Sequence, residues 1–209
     1  MRTYLIKTPR ILKAAYLNCI WEISSHANSI YLTFDDGPHP EITPFVLEQL
    51  EKYNAKATFF CIGDNVEKYP EVYQQIIDKG HSIGNHTQHH LNGFYTDNLI
   101  YLKDISAAAK LIKSNMFRPP YGRITYAQMA GIKRLFPQMK IIMWDVLSGD
   151  FDTALKPQAC FRNVRNTALP GSIIVFHDSE KAWKRLKHTL PLFLKHCEEK
   201  KWTMKKINL

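Results

Sequence analysis

Apolar and polar positions along this chain follow two rhythms. Short runs dense in β-branched and aromatic residues occur at Ser29 to Phe34, Ala57 to Cys61, His81 to Gly84, Met116 to Arg118, Lys140 to Val146, Ser172 to His177 and Thr203 to Ile207. Runs this short with turn residues at their ends read as strands. Between them lie longer stretches whose apolar residues recur at helical spacing. The first places Val46, Leu47, Leu50 and Tyr53 on one face, with Thr43 as the expected N-cap and Pro44 at the first helical position. A second opens at Pro70 and stops at Lys79-Gly80. A third starts at Thr96-Asp97 and runs through Leu99, Leu102, Ile105 and Ala109 toward Ile112. Pro157 to Asn166 and Ala182 to Lys200 complete the helical set, with Pro191 expected to kink the last.

Strands alternating with helices predict a parallel α/β fold. Periodicity leaves an open doubly wound sheet and a closed barrel both available. In either, functional groups gather at the carboxyl ends of the strands. No repeat, low-complexity tract or linker marks a second globular unit.

Composition narrows the class. The 209 residues are 45% hydrophobic and 22% charged, an ordinary globular balance that argues against disorder. A chain of this length buries a core without disulfide staples. The net charge of +9 suits an acidic polymer or an anionic surface. No helix-turn-helix, zinc-knuckle or aromatic RNA-platform signature accompanies it, so nucleic acid is not the expected partner. The four cysteines form no CxxC pair, and Cys61 reads as a small buried hydrophobe. The N-terminal MRTYLIKTPRILKAAYLNCIW is basic and partly apolar, but Lys7, Pro9, Arg10 and Lys13 interrupt it. It lacks the apolar run of about 7–15 residues of a cleavable signal, and no segment reaches the roughly 20 needed to span a bilayer. A cytoplasmic location is the expectation, with weak contact between this basic segment and a membrane surface as the alternative.

Candidate chemistry collects at strand ends. FDDGPHP, residues 34–40, sets two carboxylates side by side after an apolar run. Neighbours in a strand face opposite ways, but past its end both can turn into one cleft, where they repel unless a cation sits beside them. The same composition also makes an ordinary solvated turn. HSIGNHTQHH, residues 81–90, holds four of the nine histidines. His86 and His90 are four apart, which puts both imidazoles on one side of a helical turn, a spacing used for metals. A polar loop with incidental histidines is the alternative. Two histidines and one carboxylate leave coordination positions open for water and substrate. FRPPYG, residues 117–122, places Arg118 on a stiff extended backbone from which it can pair with a carboxylate. WDVLSGDFD, residues 144–152, adds Asp145, Asp150 and Asp152, and SIIVFHDS, residues 172–179, ends in His177-Asp178.

In this order TFDDGP, GNHTQHH, RPPYG, WDVLSGDF and VFHDS resemble the five motifs of the polysaccharide deacetylase family, the NodB-homology domain of carbohydrate esterase family 4. The resemblance implies an N-terminal extension over residues 1–28 packing on a catalytic domain over 29–209, built as a distorted (β/α) barrel with about seven parallel strands. It implies hydrolysis of N-acetyl groups on an amino-sugar polymer or oligomer of chitin or peptidoglycan type, with one divalent ion, usually zinc. Carried over residue by residue, it makes Asp35 the general base and Asp36, His86 and His90 the metal ligands, leaving out His81 and His89. Arg118 would brace Asp35, and the Tyr121 backbone N–H would hold the oxyanion. His177 would be the general acid, tuned by Asp150, with Val175, Pro120 and Phe151 lining the groove and acetyl pocket. The match has departures: Leu147 stands where the family has Asp, Phe151 where it has Trp, and Val175 where Leu is usual. These bear on substrate choice more than on chemistry. A catalytically idle carbohydrate-binding relative and a hydrolase of non-sugar amides are the competing readings.

Overall fold

The computed structural model describes residues 4–24 and 28–209. Helix α1 (Arg10–Ala15) and strand β1 (Cys19–Ile20) come first, followed by β2 (Ser29–Asp35), α2 (Ile42–Lys52), β3 (Thr58–Cys61), α3 (Gly63–Lys68), α4 (Pro70–Asp78) and β4 (Ser82–Asn85). Then come α5 (Asn98–Leu111), β5 (Met116–Phe117), α6 (Tyr126–Leu135), β6 (Lys140–Ile142) and β7 (Val146–Leu147). The chain finishes with α7 (Pro157–Thr167), β8 (Ile173–His177), α8 (Glu180–Glu199) and β9 (Thr203–Lys205).

These strands pair in parallel in the order β1-β6-β5-β4-β3-β2-β8-β7. β9 shares one side of β2 with β3, pairing with Ser29–Tyr31 below the Thr33–Asp35 stretch that β3 takes. Five strands separate β6 from β7 in this order. In a flat sheet they would lie about 29 Å apart. The step from Ile142 to Val146 reaches at most about 14 Å. The sheet must therefore curl until its two ends meet, which makes it a distorted barrel.

That geometry breaks the single strand expected over Lys140 to Val146. Met143 N–H donates to Ile20 O at 2.7 Å, and Asp145 N–H to Ile173 O at 3.0 Å, so the chain changes partners as it crosses the seam. The N-terminal segment covers the same seam. Beside β6 lies β1, while Lys7 pairs antiparallel with Val146, and Leu147 N–H donates to Ile6 O at 2.8 Å. Buried Asp145 ties the crossing down through Lys7, Lys13 at 2.7 Å and Ser172 Oγ at 2.6 Å. Burial pushes its carboxyl pKa up, but the hydrogen bonds from Lys13, Lys7 and Ser172 together leave it lowered.

Both faces of the sheet are covered, which is why its strands read as near-continuous apolar runs. Ile30, Leu32 and Phe34 of β2 join Ile174 and Phe176 of β8 against Leu47 and Leu50 of α2 and Leu186, Leu190 and Phe193 of α8. Tyr31, Phe60, Ile142 and Ile173 fill the barrel interior. The period of two then puts Thr33, Asp35, Val175 and His177 on that interior face, nearest the mouth.

Local signals explain the remaining differences from expectation. Helix α2 takes in Thr43, with Glu41 at its N-cap, because the Thr43 hydroxyl is engaged elsewhere. Asp97 does cap α5, accepting from Leu99 and Ile100 N–H. Helix α6, absent from the expected set, carries a full capping box between Thr125 and Gln128. Helix α8 runs unbroken through Pro191 to Glu199. Among the described residues, no helix is long and apolar enough to cross a membrane.

Candidate active site

Strand β2 delivers Asp35 to the barrel mouth, in register with His177 of the adjacent β8. Asp36 would face the other way in a continued strand. It instead adopts φ 81°, so the chain turns sharply just beyond Asp35. Asp35 Oδ1 accepts from Arg118 Nη1 at 2.6 Å. Arg118 has no exposed surface, and it also donates to Thr33 Oγ1 at 2.7 Å, Ile142 O at 3.1 Å and Met143 O at 3.0 Å. Its guanidinium stacks 4.0 Å from the Phe60 ring centroid. Burial draws the guanidinium pKa down, while the Asp35 charge opposes that shift. A buried cation in such a place needs a carboxylate beside it, and Asp35 is that partner.

His86 and His90 follow β4 without forming the helical turn that their spacing suggested. Left-handed Thr87 (φ 65°) and His90 (φ 57°) bend the loop, bringing the two ring centroids to 5.1 Å. Asp36, Thr87, His90 and Tyr121 are four of the six non-glycine residues with positive φ among the described residues. Each such backbone costs about 1–3 kcal/mol and persists only where its surroundings enforce it. Here that strain is concentrated in one place.

Within this site His86 Nδ1 lies 2.7 Å from Arg118 O. A carbonyl only accepts, so Nδ1 carries the proton and Nε2 is left with a free lone pair. Asp36 Oδ1 lies 3.8 Å from His86 Nε2 and 3.3 Å from His90 Nε2. The three candidate ligand atoms are all within 4.8 Å of one another. Asp36 Oδ2 accepts from Ser179 Oγ at 3.1 Å, whereas Oδ1 is buried with no hydrogen-bond partner. Two imidazole nitrogens converging on an orphaned carboxylate oxygen fit a divalent cation. Burial pushes Asp36 up, but the nearby imidazoles of His90, His177 and His86 hold it well below the usual carboxylate range. Burial lowers His86 to about 4, so it is neutral near pH 7, the form that ligates. His89 pairs instead with Asp104, and His81 Nδ1 accepts from Ala57 N–H at 3.1 Å, so neither joins the cluster.

Across the mouth Asp150 grips His177 twice. Its Oδ1 lies 2.7 Å from His177 Nδ1, and its Oδ2 accepts the His177 backbone N–H at 2.8 Å. Burial lowers the imidazole pKa, but the charge and hydrogen bond of Asp150, then Asp36 and Asp35, outweigh it and raise His177 to about 9. Asp178 points away from this pair and braces the turn after β2. It accepts from Gly37 N–H at 3.1 Å and from Thr43 Oγ1 at 2.5 Å. A Cβ on residue 37 would sit 2.1 Å from Asp178 Oδ2, so only glycine fits there. Burial raises Asp178 to about 7.

Tyr121 sits in a single 3-10 turn, Pro120–Gly122, at φ 60°. Its ring crowns His90 at 4.6 Å, and its hydroxyl lies 3.1 Å from His90 Nδ1. Pro120 is buried beside it. Val175 is buried in register with Leu147, and half-buried Phe151 stands edge-on to His177 at 5.3 Å. The structure thus gathers Asp35, Asp36, His86, His90, Arg118, Tyr121, Asp150, Phe151 and His177 around one mouth. Sequence reasoning missed several supports. Ser179 closes the last motif, and Arg185 donates through Nε to Asp150 O from nearly two turns further along α8. Asn65 holds Asp36 O at 2.7 Å, from a helix the apolar pattern did not reveal.

Known proteins share this arrangement. The polysaccharide deacetylase family model matches residues 22–135, more than half the chain. A chitooligosaccharide deacetylase of Azorhizobium caulinodans is 35% identical over 163 residues, covering 75% of this chain and 76% of that enzyme. A peptidoglycan-N-acetylglucosamine deacetylase of Bacillus cereus is 35% identical over 156 residues, covering 72% of this chain but only 56% of that longer protein. Among solved structures, a peptidoglycan N-acetylglucosamine deacetylase in complex with 4-naphthalen-1-yl-N-oxidanyl-benzamide superposes with TM-score 0.80 at 28% identity, over 90% of this chain and 89% of that one. The chain therefore belongs to the polysaccharide deacetylase family, metal-dependent hydrolases of carbon–nitrogen bonds other than peptide bonds.

Proposed function

We propose that this protein removes N-acetyl groups from amino sugars of a chitin- or peptidoglycan-like oligomer or polymer. The observation that carries this reading is the flanking of the Asp36–His86–His90 cluster by two differently charged partners. Asp35 is paired with a buried arginine on one side, and His177 is held as an imidazolium by Asp150 on the other. A divalent ion held by Asp36, His86 and His90, zinc by the preference of such donor sets, supplies carbonyl polarisation and a water of lowered pKa.

The remaining work falls to side chains and one amide. Asp35, held in place by Arg118, takes a proton from water as its oxygen bonds to the acetyl carbon. The Tyr121 backbone N–H donates to the developing oxyanion. His177 then gives its proton to the departing sugar nitrogen, the C–N bond breaks, and acetate and a free amine result. Val175 and Pro120 bound the space for the acetyl methyl. A carbohydrate-binding protein without turnover would be expected to lack a member of this set, and none is missing.

The test is acetate release by the metal-loaded protein from chitin oligomers, peptidoglycan fragments and free N-acetylglucosamine. Release that vanishes with chelator and in Asp35→Asn supports the reading. An inert wild type across all three overturns it.

A further inference from the structure

Residues Tyr4 to Thr8 precede the stretch matched by the family model, yet they reach the site. This strap runs antiparallel to β7, with Thr8 N–H donating to Asp145 O at 2.9 Å and Leu147 N–H donating to Ile6 O at 2.8 Å. Its direction carries Thr8 toward the base of the seam and Tyr4 toward the mouth. There the Tyr4 ring lies 5.0 Å from Phe151 at 58°, and its hydroxyl donates to Asp152 Oδ2 at 2.7 Å. Phe151 in turn meets His177 at 5.3 Å and 70°. Three rings thus stand in a row leading away from the group proposed to protonate the leaving nitrogen. Gly149, at φ 79°, leaves room for the row, since a Cβ there would come within 3.1 Å of Tyr4 Oη.

We propose that Tyr4 is a specificity-determining residue: with Phe151 it builds one wall of the sugar groove and stacks on a sugar unit adjoining the one deacetylated. This rests on the amino-sugar reading above. Phe151 alone offers a small ring without a polar anchor. Tyr4 doubles the apolar wall, and its bond to Asp152 fixes the ring's orientation. Because Phe151 lies between Tyr4 and His177, Tyr4 should act on how long chains bind and not on the bond-breaking step.

Tyr4→Ala and Tyr4→Phe in the metal-loaded full chain test this, with kcat and KM measured on chitopentaose and on the smallest amino sugar the wild type deacetylates. Tyr4→Ala should raise KM for the pentamer about 10-fold, with kcat and the small-substrate KM within about twofold. Tyr4→Phe, which keeps the ring, should stay within about threefold of wild type for the pentamer. Circular dichroism and thermal melting establish that both variants are folded. Equal KM values for wild type and Tyr4→Ala overturn the proposal and leave the deacetylase reading intact. So does a kcat loss common to both substrates, which would mark a merely structural role. A wild type that releases acetate from no amino sugar overturns both readings together.

Discussion

Arg118 is tolerable without solvent only because Asp35 and three other oxygens receive its protons. Arg118→Ala would leave a carboxylate unpaired inside the barrel and should lower unfolding stability by about 3–5 kcal/mol, read from urea denaturation. Asp35→Asn keeps a polar group of similar shape. It should retain the ion while losing about 10²- to 10⁴-fold in turnover, separable by metal analysis of the purified variant. The Tyr121 side chain has a role apart from its amide. Tyr121→Phe preserves the backbone N–H but removes the hydroxyl on His90 Nδ1, and should weaken metal affinity about 10-fold in a chelator competition. For His177 the sign follows from its raised pKa of about 9. The imidazolium is the proton donor, so activity should persist through neutral pH and fall as pH rises through about 9. Asp150→Asn removes the largest support for that shift and should bring the basic limb of the kcat/KM profile down toward the ordinary histidine range.

The elements differ in how plainly their residues announce them. Both-sided burial made β2, β3 and β8 legible as continuous apolar runs, and Pro70, Pro157 and Gly80 marked helix boundaries. The motif positions were legible too, because carboxylates, imidazoles and an arginine recur at the ends of several strands, where any one of them alone reads as an ordinary polar turn. What failed was the inference from spacing to shape. His86 and His90 meet through left-handed backbone at Thr87 and His90, and no residue type there advertises such a backbone. Two-residue β1 falls below the length that periodicity can detect, whereas β5 lies within the expected Met116 to Arg118 run. The turn after β2 also carries a testable pH dependence through Asp178. Its folded pKa of about 7 exceeds the ordinary carboxyl value, so protonation favours the fold. That contribution is complete below about pH 4 and lost as pH rises through about 7. The stability difference between wild type and Asp178→Asn should accordingly change between pH 4 and pH 8, as read from denaturant midpoints.

At the scale of the whole molecule, the sequence indicates alternating strands and helices but not where the sheet closes. Closure depends on the crossing between β6 and β7 and on the N-terminal segment, a relation between distant parts that no local window contains. Asp145→Ala removes the shared partner of Lys7 and Lys13, and should cost about 1–3 kcal/mol in thermal unfolding without removing any proposed metal ligand. The seam also sets an order of events. Lys7 meets Asp145 across 138 positions of sequence, and Tyr4 meets Asp152 across 148. Tyr4 and Lys7 are therefore synthesised at least 138 positions before their partners exist. Contacts of such long range close late, after the loop entropy has been overcome by nearer pairings. Weakening the clasp should consequently speed unfolding while leaving the refolding rate nearly unchanged. A protease acting on the briefly opened chain should then reach the N-terminal strap readily, since its contacts are among those of longest range in the fold.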